Sequence, residues 1–297
     1  MGKEHAQYFS QVDEYFSALP DSAFELAPCP LCGASKGPYT LFKKGTMEVV
    51  KCRCEMVYSL RQPTEATLKA FYASSRPMTT WSSIKASPSE DMRQARKFEK
   101  AIERIGPKSK TLLDIGCGNG FFLSMIKNQW DSVLAIGVDD NDDALNYAKQ
   151  QGLEVYKEIP EGVLFDYATF WGLLEHVKDP SKFLDGVKKI LKRPGRIIAC
   201  VPNVESAVVE HLGSQCVTFC PQHLSYFSVN TLTELLTKAG FALKEIYTIE
   251  NEVTTVAKHK ALIPPYQDAP SWIYERKGFR LGPLMGYKIV AFGEISA

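Results

Sequence analysis

Three glycines on alternate positions, Gly116, Gly118 and Gly120, follow the apolar run Thr111-Leu112-Leu113-Asp114-Ile115 and precede Phe121-Phe122-Leu123. This order reads as a buried strand, a tight turn whose missing Cβ atoms let a ligand lie against the backbone, and a helix N-terminus. A second apolar run, Ser132 to Val138, ends in Asp139. A carboxylate at the tip of a second strand can accept both hydroxyls of a ribose. Asp139, with Asp140, Asn141 and Asp142, equally suits the cap of the next helix. A third group is sulfur-based: Cys29-Pro30-Leu31-Cys32-Gly33 and, later, Cys52-Arg53-Cys54. A knuckle of this kind turns two thiolates toward one tetrahedral zinc ion. The second pair is short by one residue, so either it ligates in a tighter loop or Cys52 is a bystander.

The elements that must position these groups alternate along the chain. Helices are expected over 92–105, 142–151, 181–192 and 229–239, and strands over 111–115, 132–138, 153–156, 164–171, 196–201, 241–248 and 286–294. Strands alternating with helices predict an α/β fold, a doubly wound, mostly parallel sheet of seven strands. Residues 1–27 read as a helical lead-in with Tyr8, Phe9, Val12, Tyr15, Phe16 and Leu19 at helical spacing. Residues 28–62 form the ribbon-like zinc module, 63–105 linker and lid helices, and 106–297 the main ligand-binding domain. Within the linker, Ala73 to Asp91 is rich in Ser, Thr and Pro and reads as a loop. Tyr72 or Trp81 from this stretch is a candidate lid aromatic.

Composition narrows the function classes. The net charge is +1 and 45% of the 297 residues are apolar. That balance argues against a general affinity for nucleic acid or an acidic surface. Lys36, Lys43, Lys44, Lys51, Arg53 and Arg61 outnumber Glu48 and Glu55 in the ribbon, which reads as a solvated surface or as a contact for RNA. The N-terminal residues are polar and amphipathic, unlike a secretory signal, and no apolar run reaches the roughly 18 residues of a membrane span. A cytoplasmic protein without a membrane partner is the expectation. The later cysteines, Cys117, Cys200, Cys216 and Cys220, read as ordinary thiols; a metal shared by Cys216, Cys220 and His223 is the minor alternative.

A dinucleotide loop usually spaces its glycines G-x-G-x-x-G. The G-x-G-x-G spacing here, with Asp114 ahead of it, resembles motif I of class I S-adenosylmethionine (SAM) methyltransferases. The resemblance implies a Rossmann-like methyltransferase fold and SAM as cofactor, with Asp114 supporting its ammonium. Asp114, Gly116, Cys117, Gly118, Gly120, Asp139, Asp140 and Trp171 are then the candidate cofactor residues. Trp171-Gly172-Leu173-Leu174-Glu175-His176-Val177-Lys178-Asp179-Pro180 is similar to a segment of ubiquinone-type and sugar methyltransferases. Gln222 to Ser228 and Gly240-Phe241 resemble later motifs of the same group. The zinc ribbon followed by a short helix ending Phe71-Tyr72 resembles the N-terminal module of sugar C-methyltransferases. Of the acid–base stretch Y-H-E-H-x-S-Y-F-S in those enzymes, only the last His survives, as His223. Their large C-terminal domain has no counterpart here, which directs the expectation to transfer onto oxygen or nitrogen.

Methyl transfer to a hydroxyl also moves a proton, which favours a base titrating near neutrality. His223, in a loop above the sheet edge, is the first candidate and His176 the second. The alternative roles are anchoring that loop and shaping the pocket. Glu175 is placed to pair with substrate or with the fold. Residues 202–228 and 256–285 are expected to wall the acceptor pocket. The resulting expectation is a small-molecule methyltransferase acting on a sugar, sugar nucleotide or natural product, with oligomeric state open. An RNA methyltransferase using the basic ribbon, and a non-catalytic SAM-binding scaffold, are the alternatives; a nicotinamide dehydrogenase is disfavoured by the glycine spacing.

Overall fold

The computed structural model describes residues 3–85, 88–106, 111–249 and 286–296. In chain order, helix α1 (Lys3–Ser17) leads to strands β1 (Phe24–Leu26), β2 (Tyr39–Lys44), β3 (Met47–Lys51), β4 (Val57–Ser59) and β5 (Arg61–Pro63). Helices α2 (Glu65–Ser74), α3 (Arg76–Lys85) and α4 (Pro88–Ile105) follow. The main unit then runs β6 (Thr111–Ile115), α5 (Phe121–Gln129), β7 (Leu134–Val138), α6 (Asp142–Gln150), β8 (Glu154–Tyr156) and β9 (Phe165–Trp171). It continues with α7 (Pro180–Ile190), β10 (Leu191–Pro202), α8 (Ala207–Leu212), β11 (Ser225–Tyr226), α9 (Val229–Lys238), β12 (Phe241–Ile249) and β13 (Lys288–Ile295).

The seven-stranded sheet has the order β12-β13-β10-β9-β6-β7-β8. β6 to β10 pair in parallel, whereas β13 runs antiparallel to both β10 and β12. Strand order reverses at β6, so the loops after β6 and β9 diverge and leave a crevice at the carboxyl edge. Both faces are covered, which is why the central strands are continuous apolar runs rather than alternating ones. Leu113, Ile136, Phe170 and Ala199 pack on one face with α7 and α9. Leu112, Tyr167, Ile198 and Val290 pack on the other with α4, α5 and α6. Helix starts are set by side chains: Asn141 caps α6, Asp179 with Pro180 opens α7, and Ser228 and Thr231 form a capping box on α9.

The ribbon forms a second sheet, β11-β4-β3-β2, and its edge strand β11 comes from the loop after β10. β1 pairs with β5, so the lead-in contains a strand as well as a helix and is tied to the far side of the ribbon. α1, α2 and α3 make a separate apolar core around Tyr8, Val12, Phe16, Phe71 and Ile84. Together they form a cap.

Several expectations are corrected. Ala73 to Asp91 is largely helical, because Ser and Pro act here as helix starters. Ser75 Oγ accepts from the amide of Met78, Pro77 lies in the first turn of α3, and Pro88 is the first residue of α4. Helix α7 ends at Ile190, where β10 takes over at Leu191, rather than continuing to Lys192. The stretch 202–228 holds α8 and β11. The expected pocket wall at 256–285 lies outside the described residues.

One close approach sets the depth of the ligand loop. A Cβ on Gly137, in the middle of β7, would lie 2.6 Å from Leu123 Cδ1 and 2.7 Å from Cys117 Sγ. The glycine lets α5 and the loop after β6 settle onto the sheet. Gly137→Ala should therefore destabilise the protein by about 1–3 kcal/mol, the usual penalty of overpacking a close-packed site, measured as a lower urea midpoint at unchanged slope.

Candidate functional site

The loop after β6 turns through positive φ at Gly116 (72°), Gly118 (54°) and Gly120 (75°), a conformation costly for any residue with a Cβ. Gly116 and Cys117 donate their amides to the Val138 carbonyl at 2.8 and 3.0 Å, which joins the loop to the end of β7. Asp139 locks the arrangement. Its Oδ2 accepts the amide of Gly118 at 2.8 Å and its Oδ1 that of Asn141 at 2.9 Å. Burial raises its pKa, and the two amides oppose that shift. Each carboxylate oxygen has a second lone pair beyond the amide it holds. Asp139 thus stands at the tip of β7 where ribose hydroxyls would be met, and Asn141, not Asp139, is the side chain that caps α6. Asp140 is exposed beside it.

Asp114 is buried at the end of β6 and accepts from Thr169 Oγ1 on β9 at 2.7 Å. Cys117 lies against the same loop, its thiol pushed up by burial and by the neighbouring carboxylates Asp114 and Asp139. Trp171, at the end of β9, packs its ring against Phe98 and Phe122 at centroid distances of 4.7 and 5.0 Å.

The cap reaches the loops after β6, β7, β9 and β10. Asn119 Nδ2 donates to the Ser82 carbonyl, and Asn141 Nδ2 to the Tyr72 carbonyl. Gln222 Nε2 donates to Tyr8 Oη at 3.1 Å. The Tyr72 hydroxyl lies 2.8 Å from His176 Nδ1, whereas Trp81 packs on Tyr8 inside the cap.

His176 and His223 are brought together, with ring centroids 4.6 Å apart and nearly perpendicular planes. His223 Nδ1 lies 2.7 Å from the Thr218 carbonyl and His176 Nδ1 lies 2.9 Å from the Gln222 carbonyl. A carbonyl only accepts, so both Nδ1 atoms carry hydrogen and both Nε2 atoms keep a lone pair. Burial pushes His176 down to about 4; burial, then His176 itself, holds His223 well below its ordinary value. Both rings are neutral at physiological pH. His223 therefore anchors its loop and still offers a nitrogen base. Glu175, itself buried, has a carboxylate oxygen within 4.8 Å of ring nitrogens of both histidines. Cys216 and Cys220 are buried and join no such cluster with His223 among the described residues.

The four early cysteines converge. Cys29 and Cys54 sulfurs are 3.5 Å apart and those of Cys32 and Cys52 3.6 Å, and all four lie within 4.8 Å of one another. Four thiolates at about 2.3 Å from a tetrahedral ion would be about 3.8 Å apart, so the cage fits zinc. The short Cys52-Arg53-Cys54 pair works because Glu55 takes a positive φ of 69°, matching Gly33 at 73° after the first pair. Cys52 stands in the cluster with the other three sulfurs.

Spacing did not reveal Tyr8, Gln222 or Thr169 as site residues. Tyr8 reads as one more member of an apolar stripe, and only its hydroxyl, placed by the tertiary fold, sets it apart. Asn141 was legible as a cap, though not its bond to Tyr72.

Comparison with known proteins bears on this geometry. The family described as "Methyltransferase domain" matches residues 90–246. The tRNA U34 carboxymethyltransferase of Photobacterium profundum is 24% identical over 186 residues, covering 56% of this chain and 54% of that protein. The ubiquinone biosynthesis O-methyltransferase of Paraburkholderia phymatum is 33% identical over 122 residues, 36% of this chain and 52% of that one. The chain thus spans about half the length of these curated relatives. A SAM-dependent methyltransferase from Archaeoglobus fulgidus superposes with a TM-score of 0.51 at 19% identity, covering 69% of this chain and 94% of that one. The plantazolicin methyltransferase BpumL in complex with SAH gives 0.51 at 15% identity, covering 77% and 94%. At these identities the two structures speak to the fold.

Proposed function

From the premise that the chain belongs to the methyltransferase-domain family through residues 90–246, we propose that it is a SAM-dependent methyltransferase acting on a hydroxyl of a small molecule. The observation that carries the reading is the pairing of Asp139 with the glycine loop beside two neutral imidazoles at the same sheet edge. Gly116, Gly118 and Gly120 cradle the methionine part, Asp139 takes the ribose, and Asp114 and Asp140 complete the acidic rim. A sulfonium methyl is already activated, so alignment and exclusion of water do most of the work. What remains is the acceptor's proton, and a neutral imidazole nitrogen can take it. His223 is the proposed base, with His176 beside it. The Cys29, Cys32, Cys52 and Cys54 cage is proposed to hold one structural zinc, since four thiolates leave no open position for a substrate.

A second reading has its own observation. The similarity to a tRNA-modifying enzyme, together with the basic ribbon, points to RNA as acceptor. Incubation with methyl-tritiated SAM and either a small-molecule pool or total RNA separates the two readings by where the label goes.

Calorimetry with S-adenosylhomocysteine should show micromolar binding that Asp139→Ala weakens by about 1.5–3 kcal/mol, the value of hydrogen bonds to a charged group. Unchanged affinity would remove Asp139 from the cofactor site. Metal analysis should return about one zinc per chain, falling in Cys52→Ser; full occupancy in that variant would rule out the four-thiolate cage. His223→Ala should slow methyl transfer by about 10²–10⁴-fold with cofactor affinity intact. A loss within about threefold would leave His223 only its loop-anchoring bond to Thr218.

A further inference from the structure

Two tyrosines of the cap, the candidate lid residue Tyr72 and Tyr8 of the lead-in helix, end at or beside the histidine pair. Tyr72, on α2, lies 2.8 Å through its hydroxyl from His176 Nδ1, and its ring meets the imidazole edge-on at 5.8 Å. Tyr8, on α1, accepts the side-chain amide of Gln222. The main-chain carbonyl of that same Gln222 is the other acceptor at His176 Nδ1. Two oxygens therefore converge on one ring nitrogen, one supplied by the cap and the other held in place by it. The Gln222 carbonyl can only accept, so the hydrogen stays on Nδ1 and the lone pair on Nε2; the Tyr72 hydroxyl, able to donate or accept, then meets that hydrogen as a second acceptor.

We propose that Tyr72 is a positioning residue of the acid–base centre: with the Gln222 carbonyl, which Tyr8 steadies, it fixes His176 in the Nδ1–H tautomer beside His223. The inference deepens the methyltransferase reading and rests on it. The cap then has two functions at one edge. Through Asn119 and Asn141 it holds the loops around the cofactor cradle, and through Tyr72 and Tyr8 it sets which nitrogen of the neighbouring ring is basic. The other ionisable groups around the pair are Glu175 next to His176, Cys220 on the same loop as His223, and Lys288 at the start of β13. Burial keeps the Tyr72 phenol neutral, so it supplies a dipole and no charge.

The test needs no knowledge of the acceptor. Full-length protein labelled with ¹⁵N-histidine and saturated with S-adenosylhomocysteine is followed through its ring-nitrogen resonances, with His176→Asn and His223→Asn giving the assignments. In the wild type, His176 should show a protonated Nδ1 and a bare Nε2 throughout about pH 6–8. Tyr72→Phe, which keeps the ring and removes one oxygen, should shift the Nδ1–H resonance and speed its exchange with water, while the backbone amide spectrum and ligand affinity stay as they were. Tyr8→Phe should move the same signals in the same direction, and it decides the matter if Tyr72→Phe loses its dispersed spectrum. A wild-type His176 protonated on Nε2 would overturn the proposal, as would His176 resonances that neither substitution moves. If S-adenosylhomocysteine does not bind the wild type at all, the methyltransferase reading itself fails. Binding with unmoved His176 resonances counts against the Tyr72 assignment alone.

Discussion

The carboxylate of Asp139 is the contact on which the cofactor side of this molecule depends. One oxygen holds the amide in the middle of the glycine loop and the other holds the amide at the start of α6. Two strand ends are thereby fixed to one side chain at the point where strand order reverses. Buried acids pay in desolvation for such a position, and two backbone donors offset the cost. The loop conformation and the placement of Asn141 against the cap both depend on the two amides that this one carboxylate holds. Asp114 repeats the device one strand away, tied to Thr169 on β9.

The opposite wall of the crevice is built on a different principle. Its polar groups include two imidazoles, a phenol and the carboxamide of Gln222, with the carboxylate of Glu175 behind them. Burial disfavours the charged form of both histidines, which leaves each ring a nitrogen lone pair. On the proposed reading, the carboxylates of one wall would suit a cationic methyl donor, and the imidazoles of the other would meet an acceptor hydroxyl as unprotonated bases.

Much of this was legible from residue types. The glycine loop and the two strand-end acids stand in sequence order, and parallel strands announce themselves as unbroken apolar runs. The sheet and its acidic rim could therefore be read in advance. The four-cysteine cluster was legible at Cys29 and Cys32 and ambiguous at Cys52, because Glu55 adopts a backbone conformation that its side chain does not advertise. The cap was misread for a physical reason. Ser75, Pro77 and Pro88 are loop formers on average, but each stands at or beside a helix start, where a hydroxyl acceptor or a missing amide hydrogen is an advantage. The link from Tyr72 to His176 joins residues 104 apart in sequence, and no local pattern encodes such a contact.

The pairing of β11 with β4 gives the ribbon a significance that its size hides. Ser225 and Tyr226 follow His223 almost immediately, and they lie opposite Tyr58 and Val57 in a sheet whose next strand, β3, ends at the four-cysteine cluster. The small module and the large one thus share a strand and are not merely joined by a linker. Trimming the chain to its family-matched portion would leave β11 without β4, its one neighbour in that sheet among the described residues, and free the segment that carries His223. The boundary drawn by sequence similarity is therefore not a place where this molecule can be cut: the loop that carries His223 is paired with the first quarter of the chain.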